Sequence, residues 1–114
     1  MDDAIGAFAD DMKNRGLWND VAIVVITEFG RRNYVNASAG TDHGHAFTAL
    51  VIGGAVQGGV YGPHLAETDL QGEWLAYGVD FRSIYKDVLS RFMGADPEPI
   101  FPEPLDINTA LPLI

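Results

Sequence analysis

The side chains able to do chemistry in this 114-residue chain gather in one stretch, Thr27–His45, reading TEFGRRNYVNASAGTDHGH. It holds a carboxylate (Glu28), an arginine pair (Arg31, Arg32), an Asp-His pair (Asp42, His43) and a second histidine (His45). Asp42-His43-Gly44-His45 offers carboxylate oxygen and neutral imidazole nitrogen, ligand types that hold zinc or manganese. In extended backbone His43 and His45 share a face while Asp42 points away. All three converge only if the chain turns at Gly44; the competing reading is an Asx-type turn carrying surface histidines. Glu28 suits a metal ligand or a general base once burial or a nearby cation tunes it. Its plainer alternative is a carboxylate paired with Arg31 or Arg32 to order the loop. Each arginine presents a planar fork that matches phosphate-type oxygens. Adjacent residues seldom face the same way, so at most one of the two is expected to meet a ligand.

Other candidates read more simply. Asn33 and Asn36 suit turns, and the Thr27 hydroxyl lacks a visible activating base. Gly53, Gly54, Gly58 and Gly59 have no Walker lysine beside them and read as tight turns. His64 reads as a surface residue.

Two apolar runs flank the loop and must position it. Val21–Ile26 is continuous and rich in β-branched residues, the pattern of a strand covered on both faces in a parallel sheet. Ala46–Ile52 is a second buried strand candidate. In open α/β sheets ligands sit beyond the carboxyl ends of strands, where this loop begins. Before the first run, Ile5, Phe8 and Met12 share one helical face, with Gly16 as the stop. After the second, Asp80–Met93 places Phe81, Ile84, Tyr85, Val88, Leu89 and Phe92 on one face. Asp80 suits the N-cap and Gly94 the C-terminal stop. Prolines at 97, 99, 102, 104 and 112 forbid helix beyond that point. Residues 97–114 are therefore expected as an extended tail, with Ile100, Phe101, Leu105 and Leu111 in a surface groove.

This order predicts an α/β fold with a mainly parallel sheet. Two or three strands are few for such a sheet, so residues 1–96 are expected to be part of a larger domain, or to need a partner such as a second copy.

A net charge of −9 and a pI near 4.4 argue against nucleic acid or an anionic membrane as partner. An anionic substrate would need local cations, either metal ions or the two arginines. There is no cysteine, hence no disulfide and no thiolate metal site. No run approaches a membrane-spanning length and no export signal follows Met1, so the chain as given is expected in the cytoplasm.

Four motifs in order carry a resemblance: TEFGRR, GTDHGHAF, LVIGGAVQGGVYG and VDFRSIYKDVLSRFMG. Together they resemble a sulfatase-like family catalogued as a domain of unknown function (DUF1501) in the alkaline phosphatase superfamily, here its C-terminal part only. The resemblance implies a partial doubly wound sheet and metal-assisted transfer or hydrolysis of phosphate or sulfate esters. It implies Asp42, His43 and His45 as ligands of a divalent metal, with Glu28, Arg31 and Arg32 in catalytic roles. Members are often exported by the twin-arginine route. The nucleophile of the superfamily lies in a preceding half, so this chain alone is expected to be inactive. The alternative is a non-catalytic module using the same loop for protein or glycan binding.

Overall fold

The computed structural model describes residues 1–64, 66, 68–71, 74–107 and 111–114. Helix α1 (Asp2–Asn14) has Asp2 and Asp3 in its first turn and Lys13 in its last, matching the helix dipole. Ala9 is its buried residue, with Ile5 and Met12 half-buried, so the inward stripe runs through Ile5, Ala9 and Met12. Phe8, expected on that stripe, is 44% exposed. The helix ends at Gly16, whose φ of 72° lets the Leu17 N–H reach back to the Met12 carbonyl at 2.9 Å.

A short 3-10 turn, Trp18–Asp20, leads into β1 (Ala22–Val25). Strands β2 (Gly30–Arg31) and β3 (His43–Gly44) follow, then β4 (Leu50–Gly53), β5 (Leu70–Gln71) and β6 (Trp74–Leu75). Helix α2 (Arg82–Asp87) continues as a π-helical turn, Val88–Phe92, which closes at Gly94 with φ 64°.

The described strands form three two-stranded sheets, β1–β4, β2–β3 and β5–β6, and every pair is antiparallel. The fold is mixed α/β, and the mainly parallel, doubly wound sheet expected from the sequence is not what these residues form. The physical reason lies in the connection. Parallel neighbours need a crossover, usually a helix packed on the sheet. The segment between β1 and β4 contains no helix; it folds back on itself as the β2–β3 hairpin and returns the chain in the opposite direction.

Register sets the faces. Val24 pairs with Val51, and both pack on the core cluster of Ile84, Leu111 and Leu113. Tyr61, Val79 and Ile114 complete that packing. Leu111 is thus a core residue, 6% exposed. The tail is drawn in because its backbone finds partners there: the Gln57 N–H donates to the Leu113 carbonyl at 2.7 Å. Among the described residues no helix is long and apolar enough to cross a membrane.

Candidate functional site

The Thr27–His45 loop is held in shape mostly by its own backbone and one asparagine. Arg31 faces His43 and Gly30 faces Gly44 across the hairpin. A Cβ at Gly30 would collide with the Ala46 carbonyl oxygen, and one at Gly44 would come within 2.9 Å of the Arg31 carbonyl carbon. Only glycine permits that approach. Beyond the pairing, the Arg32 N–H donates to the Asp42 carbonyl at 3.0 Å.

Asn36 organises the tip. Its Oδ1 accepts the Ser38 and Gly40 N–H groups at 3.0 and 3.1 Å. Its Nδ2 donates to Asp42 Oδ1 at 2.8 Å. Ala39 adopts a left-handed φ of 58° inside this turn. The Asp42 carboxylate therefore serves the turn.

The ring systems sort the remaining charged groups into two clusters. His43 stacks on Phe29, with centroids 3.6 Å apart and planes at 16°. The Arg31 guanidinium lies 5.0 Å over the same phenyl ring while donating to the Thr41 carbonyl at 2.9 Å. In the second cluster, His45 meets Trp74 edge-on at 4.6 Å, and the Arg32 guanidinium lies 4.3 Å over Trp74. Arg32 also donates to the Tyr34 hydroxyl.

Two concavities open beside the loop. One, of about 650 Å³ at the carboxyl end of β1, is lined by Thr27, Glu28, Phe29, Arg31, Phe47 and Thr48 among others. Arg31 thus joins Glu28 at this cleft. The other is a groove of about 1050 Å³ lined by both Glu28 and His45.

The family described as "Protein of unknown function (DUF1501)" matches residues 1–111, which include the loop and both flanking strands. The chain belongs to the DUF1501 family. Neither a curated protein nor a solved structure matches it.

In this DUF1501 chain the expected metal ligands do not converge. Among the described residues no three His, Asp or Glu side chains come together as a metal site. Asp42 is engaged by Asn36, His43 by Phe29 and His45 by Trp74. As placed, these residues do not fit a three-ligand zinc or manganese centre.

Among the described residues the carboxylate with a clearly shifted pKa lies outside the loop. Asp80 is 3% exposed and receives Arg82 Nε at 3.0 and 3.1 Å on its two oxygens. The Arg82 hydrogen bonds hold its carboxyl down to about 2 against the opposing effect of burial, and the Asp106 and Arg82 backbone N–H groups add to the lowering. The Arg82 pKa is raised in turn, chiefly by its hydrogen bonds to Asp80. Asp80 also accepts the Arg82 N–H at 3.0 Å, but the N-cap position of α2 falls at Phe81 and not at Asp80 as the sequence suggests. Sequence reasoning missed that Asp80 also reaches the tail. It also missed Asp87, a buried carboxylate whose i, i+4 spacing to Arg91 was the available signal.

Proposed function

We propose that this chain supplies the C-terminal part of the active site of a phosphatase- or sulfatase-like hydrolase of the alkaline phosphatase superfamily, with an anionic ester as substrate. The observation that carries the reading is that Glu28 and Arg31 both line one cleft beyond the carboxyl end of β1. A guanidinium fork is suited to ester oxygens, and a carboxylate beside it is suited to moving a proton. Arg31 is pre-oriented for that task by the Thr41 carbonyl and the Phe29 ring. On a chain of net charge −9, such a local cation is what an anionic ester requires. The nucleophile belongs to the remainder of a larger domain, whose strands would also extend the two-stranded β1–β4 sheet.

The test is turnover of aryl phosphate and aryl sulfate esters, by this chain alone and by a longer in-frame protein containing it. Turnover in the longer protein that Glu28→Gln and Arg31→Ala each abolish is the expected result. Absence of turnover in both overturns the reading and favours a non-catalytic module that uses the loop for protein or glycan binding. That second reading draws on the packing of both loop histidines against aromatic rings, His43 stacked on Phe29 and His45 edge-on to Trp74, which gives them a role in loop order.

A further inference from the structure

The larger groove differs in character from the cleft at Glu28 and Arg31. Its walls carry three of the chain's exposed large apolar side chains: Leu50 and Phe81, each 48% exposed, and Val60, 100% exposed. Val51, Ile84 and Leu111 bring it down to the core. Exposed apolar side chains gathered on one concave surface mark a binding site more often than scattered ones do. The charges lining the groove are one-sided. Glu28, Asp80, Glu103 and Asp106 supply four carboxylates against the single guanidinium of Arg82. That guanidinium is held by Asp80 and lies 3.5 Å from Asp106. Asp106 is 70% exposed and Glu103 is also on the surface, so both face the solvent at the rim.

We propose that this groove docks a peptide segment of another protein in which a few aliphatic or aromatic side chains are flanked by lysine or arginine. The apolar residues would fill the wall at Leu50, Val60 and Phe81, and the flanking cations would meet Glu103 and Asp106. Electrostatic complementarity of this kind selects the partner and speeds encounter more than it adds affinity. The acidic rim also disfavours a second copy of this chain, which carries the same net charge of −9. The inference goes beyond the hydrolase reading and does not rest on it.

Fluorescence anisotropy of labelled acetyl-KKLVFLKK-amide, measured on the full chain at low and high salt, tests the proposal. The acidic-flanked counterpart acetyl-EELVFLEE-amide serves as the contrast. Saturable binding of the basic peptide is expected, weakened by salt and about tenfold tighter than that of the acidic one. Val60→Ser is expected to weaken binding about tenfold, and Glu103→Lys to reduce it and flatten its salt dependence. Val60 is fully exposed, so an unchanged denaturation midpoint in Val60→Ser separates lost docking from lost fold. Equal binding of both peptides, or no binding of either, would overturn the proposal. So would a concentration-dependent dimer abolished by Val60→Ser, which would assign the groove to a second copy.

Discussion

Asp87 on helix α2 accepts the Leu113 backbone N–H at 3.1 Å through Oδ2, while its Oδ1 meets Arg91 Nε at 3.0 Å. One carboxylate thereby ties the tail to the helix and is itself neutralised from the next turn. Asp80, two residues before the same helix, does the equivalent for the middle of the tail, accepting the Asp106 N–H at 2.9 Å. The tail needs such anchors because prolines deny it helical hydrogen bonds, and its buried backbone groups must still be satisfied. Asp87→Ala removes one of two acceptors of the Leu113 N–H, which also donates to the Leu111 carbonyl at 2.8 Å, and is expected to cost about 0.5–1.5 kcal/mol. Urea denaturation measures the loss, and amide exchange at Leu113 should accelerate more than exchange in α1.

Acid sensitivity follows from Asp80. Its folded pKa, about 2, lies below the value of an unfolded aspartate. The group therefore contributes stability that is fully present above about pH 4 and lost as pH falls towards 2. Denaturation midpoints followed through that window should fall in the native chain. In Asp80→Asn the midpoint should start lower and decline less over the same window, because the titrating carboxylate is gone. A variant with the same acid slope as the native chain would contradict this assignment.

Much of the helical architecture is written locally in the chain, and much of the rest is not. Gly16 and Gly94 end their helices where expected because a left-handed stop is a property of one residue. The two strand runs are legible in place, as Ala22–Val25 and Leu50–Gly53 lie within or at the edge of the apolar stretches. Their mutual direction is not, because a continuous β-branched run reports burial rather than pairing. Ala9 takes the inward position on α1 ahead of Phe8, a choice that depends on what the helix packs against. Asn36 could be read as a turn former from its type alone. The edge-on contact of His45 with Trp74 could not, since the tryptophan arrives from a distant segment. Prolines exclude helix in the tail without saying whether it is buried, and Leu111 and Leu113 are core residues.

The hairpin that carries the candidate site depends on two glycines facing each other. Gly30→Ala would place a methyl against the Ala46 carbonyl oxygen, a backbone atom that cannot rotate away. The expected cost is about 1–3 kcal/mol, as in other overpacked sites, together with altered chemical shifts at Arg31 and His43. Gly58→Ala is the control. Nothing lies within 4 Å of its Cβ position, so its effect should stay within about 0.5 kcal/mol.

The two neighbouring arginines should separate cleanly by experiment. Arg31 lines the Glu28 cleft, with its guanidinium steadied by the Thr41 carbonyl and the Phe29 ring. Arg32 is turned instead onto Trp74 and Tyr34. If Arg31 meets the anion, Arg31→Lys should weaken binding of inorganic phosphate or sulfate about tenfold, because an ammonium cannot present the planar fork. Arg32→Ala should leave anion binding within about twofold. Its effect should fall on stability, since it strips a cation from the Trp74 face, an interaction worth about 0.5–2 kcal/mol. Titration of each variant with phosphate and sulfate, followed by amide chemical shifts around Phe29 and Phe47, reads binding and fold in the same spectra. Equal loss of anion binding in both variants would show that the ligand spans the hairpin, and would move the site from the cleft to the loop as a whole.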